Sequence, residues 1–149
     1  MEQMIKEYYD LVRKFCTLVE SLVISREQIE PLMSLLLQLY EKGLHLPDVD
    51  PGDNDYSPDR MTVLPLKIEI RDYYWQVFDP FDDKEDNLVG GMVLDDLNDI
   101  YRDLMEGVIA YDQGDINNAV RTWKFGVDGH WGTHAVSLIK ALHWLRTDY

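Results

Sequence analysis

Apolar side chains recur at steps of three and four through most of this 149-residue chain, and glycine, proline or a capping residue interrupts each run. That spacing buries one stripe of a helix and leaves the rest to water, which restricts the chain to packed helices. The first run predicts a helix over residues 2–23, with Tyr8, Leu11, Val12, Phe15, Val19 and Leu22 on its stripe. Ser25 then stands as an N-cap with Gln28 three residues on, the spacing of a capping box. A second helix follows with Ile29, Leu32, Met33, Leu36, Leu39 and Tyr40 inward, and Gly43 is placed to close it in a left-handed C-cap. The short connection predicts an antiparallel hairpin of the two.

From residue 44 to 60 the period is lost. Pro47, Pro51, Gly52 and Pro58 interrupt a run holding Asp48, Asp50, Asp53 and Asp55, which reads as a solvated loop or a lid. Its acids lack the order and the final glutamate of an EF-hand calcium loop. A third helix is expected over 62–78, capped by Thr62, with Pro65 in its first turn. Leu64, Ile68, Arg71, Trp75 and Phe78 mark its face, and Ile70, Tyr73, Tyr74 and Val77 widen it, so it is expected to be central. Asp79-Pro80 ends it, and an acidic loop leads to Gly90-Gly91. Helix four is expected over 94–111, buried through Leu97, Ile100, Tyr101, Leu104, Val108 and Tyr111. Gly114 ends it, and Asp115 is placed to cap helix five, whose inner side carries Ile116, Ala119, Val120 and Trp123. Gly126 and Gly129 close that helix before a sixth, with Trp131, Ala135, Leu138, Leu142 and Leu145 inward. No useful segment reads as alternating with period two. The expected fold is therefore all-α: one domain over 1–149, a bundle of about six helices with a C-terminal helix-turn-helix hairpin.

Charge narrows the partners. With 28 acids against 14 bases the net charge is -14, which opposes nucleic acid and anionic lipid surfaces alike. The single cysteine, Cys16, sits among Phe15, Thr17 and Leu18 in an apolar-periodic run, as a buried thiol would. One cysteine excludes an internal disulfide and suits a reducing compartment. The early mixed charge does not resemble a signal peptide, and runs such as Leu35-Leu36-Leu37 are too short to span a bilayer. A cytoplasmic location is expected.

Chemistry is concentrated between helix four and the last helix. Asp96, Asp99, Asp103 and Glu106 follow at steps of three, four and three, which aligns four carboxylates along one side of the cylinder. Their mutual repulsion costs some tenths of a kcal/mol per pair, which a metal or a basic partner would remove. Acidic runs of this kind usually face water, and outward is the expected orientation, with Arg102 nearby. His130 and His134 are four apart, so a helix points both imidazoles the same way. That geometry fits two ligands of one ion, completed by Asp99 and Asp103, although Trp131 and Gly132 stand where a zinc protease places its glutamate. The simpler arrangement has His134 buried against a helix-four carboxylate. Tyr101 and Trp131 complete the candidate cluster, and the hydroxyls of Tyr73, Tyr74 and Tyr101 are expected to reach toward the acidic face. Phosphate loops, nucleophile elbows and CxxC pairs are absent.

Two resemblances follow from these residues. EGVIAYDQGDINNAVRTW, from Glu106 to Trp123, resembles the middle of a tetratricopeptide unit, with an aromatic before a Gly-Asp turn and an Ala on the second helix. A single such hairpin is visible, where a solenoid needs about three repeats. The blocks FDPFDD (Phe78 to Asp83), LDDLNDIYRDLMEG (Leu94 to Gly107) and HWGTHAVSLIKALH (His130 to His143) resemble a bacterial helical domain of unknown function, across most of the chain. That resemblance implies a fold and no catalytic role for any residue.

The function expected from the sequence is a non-enzymatic domain that binds a protein partner through its acidic surface or its last hairpin. The first alternative is a divalent-metal hydrolase built on His130, His134, Asp99 and Asp103. The second is a small-molecule sensor with a pocket lined by tryptophan and tyrosine.

Overall fold

The computed structural model describes residues 1–50, 52–56 and 63–147. Five α-helices occur among them: α1 (Glu2–Glu20), α2 (Ile29–Leu44), α3 (Val93–Asp112), α4 (Ile116–Gly129) and α5 (Trp131–Thr147). Four short strands complete the order: β1 (Val23–Ile24) between α1 and α2, then β2 (Lys67–Ile68), β3 (Tyr73–Val77) and β4 (Leu88–Met92) before α3. The fold is predominantly helical, and the strands correct the all-α expectation.

The bundle forms for the reason the apolar spacing gives. Tyr8, Leu11, Val12, Phe15 and Val19 of α1 are buried, as are Ile29, Leu32, Leu36 and Leu39 of α2. Leu97, Ile100, Leu104 and Val108 of α3 meet them, with Trp123 of α4 and Trp131, Ala135, Leu138 and Leu142 of α5. α3 packs on α1, α4 and α5, and α2 packs on α1, α4 and α5. Cys16 lies fully inside, and burial pushes its thiol up to about 12, which disfavours the thiolate.

Punctuation behaves largely as expected. The Ser25 backbone N–H donates to Gln28 Oε1 at 2.9 Å, closing the reciprocal half of the capping box before α2. Asp115 accepts from the Asn118 N–H at 3.3 Å, and Gly114 turns the chain at a φ of 84°. Three details differ. α1 stops at Glu20, and Leu22 adopts a φ of 67° that swings the chain into β1. Gly43 stays inside α2, where a side chain would meet Tyr8 and Trp131. Gly126 likewise lies within α4.

The larger correction concerns residues 62–78, expected as a central helix. Residues 63–72 are extended or turning, with β2 pairing parallel to β1, and β3 forms an antiparallel hairpin with β4. The expected Thr62 cap lies outside the described residues, as do Pro51 and Pro58 of the proline-rich loop. Exposure alternates residue by residue from Val63 to Val77, with Leu64, Leu66, Ile68, Ile70, Tyr74 and Gln76 inward. That is the period of a strand, carried mostly by apolar residues, Ile68, Ile70 and Tyr74 among them. The turn of the hairpin is organised around Asn87. Its Oδ1 accepts from the Asp79 N–H at 2.9 Å, and its Nδ2 donates to the carbonyls of Asp79 and Asp82. The FDPFDD block is therefore turn chemistry.

The described part of the 44–60 loop is tied down rather than free. Tyr56 donates to Asp115 Oδ2 at 2.9 Å, Asn118 donates to the Asn54 carbonyl at 2.7 Å, and Leu46 is buried.

Candidate functional site

The sequence placed the carboxylates of α3 outward, and the structure turns the first of them in. Asp96 is 4% exposed, at the start of α3 beneath the β3–β4 hairpin. A buried carboxylate without partners costs several kcal/mol, so both oxygens must be met. Oδ2 accepts the Tyr74 hydroxyl proton, and Oδ1 faces His134 Nδ1 of α5 at 2.9 Å. Asp96 thereby joins three elements: the strand through Tyr74, its own helix, and α5 through His134. A side chain at Gly91, opposite Tyr74 in the ladder, would collide with the Tyr74 ring. That close approach helps to set where the hydroxyl lands.

His134 also presents Nε2 to Asp99 Oδ2 at 3.4 Å. The hydrogen bond to Asp96 holds its imidazole above the ordinary value of 6.5; burial opposes, and the charges of Asp96, Asp99 and Asp103 reinforce. One turn earlier, His130 Nδ1 meets Asp103 Oδ2, and the two imidazoles stack edge to face at 5.2 Å. Asp99 also lies 3.9 Å from Arg102. Glu106 sits with Asp103, His130 and Arg121 around a shallow depression, and burial raises its carboxyl first, then the nearby charges of Asp103 and Asp55.

Asp96, Asp99, Asp103, His130 and His134 are thus brought together. Tyr101 and Trp131 are not. The Tyr101 hydroxyl donates to Glu20 on α1 at 2.7 Å, and the fully buried Trp131 indole donates to the Trp123 carbonyl at 3.1 Å. Of the residues expected to hold an ion, Asp103 meets His130 and Asp99 lies beside His134. Asp96 and Asp103 each hold an imidazole, and among the described residues no group of three or more His, Cys, Asp or Glu is arranged to hold a metal ion.

Tyr74 connects this polar network to a groove on the neighbouring face. The groove, of about 620 Å³, runs between β3 and α5, with Tyr73, Trp75 and Phe78 on one side and Val136, Lys140 and Trp144 on the other. Its large side chains are left to water: Trp75 is 64% exposed, Phe78 71% and Trp144 53%. Exposed apolar surface gathered along one concave face marks a contact site, whereas the same residues scattered singly carry no such meaning. The sequence reading missed the groove because it assigned Trp75 and Phe78 to the buried face of a helix. The detectable signal was the alternation at Leu64, Leu66, Ile68 and Ile70, which leads into β3 with Tyr73, Trp75 and Val77 on the outward register.

Residues 1–148 match the model of the family described as Domain of unknown function (DUF5063). The chain belongs to that family. The likeness of its FDPFDD, LDDLNDIYRDLMEG and HWGTHAVSLIKALH blocks to an uncharacterised domain is borne out over the whole match. Among solved structures, the chain is similar to protein BF1032 from Bacteroides fragilis, at 17% identity and a TM-score of 0.71, covering 97% of this chain and 96% of that one. At such identity the likeness speaks for the fold alone. No curated protein matches the chain. Among the described residues no helix is long and apolar enough to cross a membrane.

Proposed function

We propose that this chain is a binding domain whose groove between β3 and α5 receives a protein partner. The observation that carries the reading is the gathering of Trp75, Phe78 and Trp144, each more than half exposed, along one concavity. Tryptophan and other aromatics anchor interfaces when they line a pocket, because they bury much area with few rotatable bonds. The imidazole–carboxylate cluster has a supporting role in this reading. Tyr74, Asp96 and His134 fasten the hairpin wall to α3 and α5, so the groove keeps its width.

The site differs from the acidic helix face and last hairpin expected from the sequence, though α5 is shared. The groove's volume also lies in the range of small-molecule pockets. Its course along consecutive residues 73–78 favours a segment of chain over a compact ligand.

Affinity capture with the wild-type chain, followed by titration of each captured protein in purified form, tests the reading. The double variant Trp75→Ala/Trp144→Ala serves as the groove variant and Phe125→Ala as an exposed control elsewhere. At least one purified partner should bind the wild type and the control and lose about tenfold or more of its affinity for the groove variant. Equal binding of every purified partner to all three proteins contradicts the reading.

A further inference from the structure

One wall of the groove is an unpaired strand edge. In an antiparallel ladder, residues that exchange backbone bonds with the partner alternate with residues that turn theirs away. The bonds from Val93 N–H to the Asp72 carbonyl, 2.9 Å, and from Phe78 N–H to the Asn87 carbonyl, 3.0 Å, set the phase of the hairpin. With Tyr74 opposite Gly91 and Gln76 opposite Val89, the even-numbered residues bond to β4. Tyr73, Trp75 and Val77 therefore aim their N–H and C=O groups away from β4, and no described residue's backbone takes them up. Residues 73–78 line the groove odd and even alike, as they do when a cleft follows an edge rather than one face of a strand.

Charge gives a second and separate indication. Across the chain acids outnumber bases 28 to 14, yet among the described residues the groove is lined by Lys140 and Arg71, the latter already engaged within the chain, against one acid, Asp128. The proportion is reversed in the concavity that carries Trp75, Phe78 and Trp144. An acidic ligand is attracted there and repelled by most of the remaining surface.

We propose that the groove takes an extended, acidic segment of another protein, added as a further strand on the outer edge of β3. Strand addition supplies affinity through main-chain hydrogen bonds and selectivity through pockets for alternate side chains. Here the alternate positions are apolar, seated against Trp75 and Trp144, and a carboxylate meets Lys140. A second copy of this chain is the poorer occupant, since it brings another net charge of -14 against the first. The inference rests on the groove reading above and specifies the partner's conformation and charge.

The test uses the full chain and a library of displayed random peptides about ten residues long, which at ~3.3 Å per residue outreaches β3. Selected peptides are titrated against the wild type, Trp144→Ala and Lys140→Glu, with circular dichroism confirming that each variant is folded. Amide hydrogen exchange is then followed residue by residue with and without peptide. The expected peptides alternate apolar and acidic residues, lose about tenfold in affinity with either variant, and slow exchange at Tyr73, Trp75 and Val77. Backbone N-methylation at every second peptide position should abolish binding, and methylation at the positions between should leave it intact.

Peptides that need Trp144 yet leave those three amides unprotected overturn strand addition while the groove reading stands. Peptides indifferent to Trp144→Ala, or a selection that yields none, count against both. A chain that dimerises and protects the three amides without peptide shows that the edge belongs to a second copy, and overturns the acidic partner.

Discussion

At the scale of single residues, small side chains decide how closely α4 and α5 approach. Gly132 sits in the first turn of α5, where a Cβ would be driven into the carbonyl oxygen and backbone of Val127. In an open helix Gly→Ala raises stability by up to about 1 kcal/mol, because alanine has less conformational freedom to lose. Here the obstacle is backbone of a packed helix, which yields poorly, and overpacking costs about 1–3 kcal/mol. Gly132→Ala is therefore expected to lower stability by roughly 1–2 kcal/mol in a denaturant titration, the overpacking loss exceeding the helix gain. A variant more stable than the wild type shows that α5 can move away freely. Tyr101 illustrates a different lesson at this scale. Its place on the apolar stripe of helix four was readable, but the carboxylate that its hydroxyl finds, Glu20, belongs to a helix distant in sequence.

At the scale of elements, the helices were readable and the hairpin was not, for a physical reason. A helix buried on one side announces itself by its stripe, and α1, α2, α3 and α5 each do so. β3 carries aromatics on both registers: the Tyr74 hydroxyl reaches Asp96 in the bundle, while Tyr73, Trp75 and Val77 are the exposed residues of the groove wall. Two apolar faces erase the alternation and imitate a helix buried all round. The misreading thus has the same cause as the exposed aromatic surface. The direction of the carboxylates was equally hidden. Spacing aligns Asp96, Asp99 and Asp103 on one side of α3, but only the position of α5 determines whether that side meets imidazoles or water.

The pairing of Asp96 with His134 gives the hairpin's attachment a pH dependence. The folded imidazole is held above its ordinary value of 6.5, chiefly by the hydrogen bond to Asp96. Such a group contributes fully below the unfolded value, and its contribution is lost as pH rises through the elevated folded value. Asp99 and Asp103 favour the same charged form, His130 lies beside the ring, and Tyr74 holds the other oxygen of Asp96. Glu106, raised above 4.5 mainly by burial, produces a separate loss that starts at lower pH. Melting temperatures measured across pH should therefore fall in two regions, one above 4.5 and one above 6.5. His134→Gln should flatten the upper region and leave the lower one. A variant that retains both regions shows that His134 is not the group responsible.

At the scale of the molecule, the bundle is a platform for one surface. The chain is strongly acidic, with its apolar residues largely enclosed, and Tyr73, Trp75, Phe78 and Trp144 converge, exposed, where the hairpin stands beside α5. The four tryptophans divide accordingly. Trp123 and Trp131 are fully buried in the core, while Trp75 and Trp144 line the groove and remain more than half exposed. They report on the binding surface without any label. Acrylamide quenching of tryptophan fluorescence, with and without a saturating purified partner or selected peptide, is the most direct examination of that surface. The accessible part of the emission should become protected on binding, and Trp75→Phe/Trp144→Phe should abolish the change. Quenching that is unaltered at saturation means that the partner binds elsewhere, and that the groove is not the functional face of this domain.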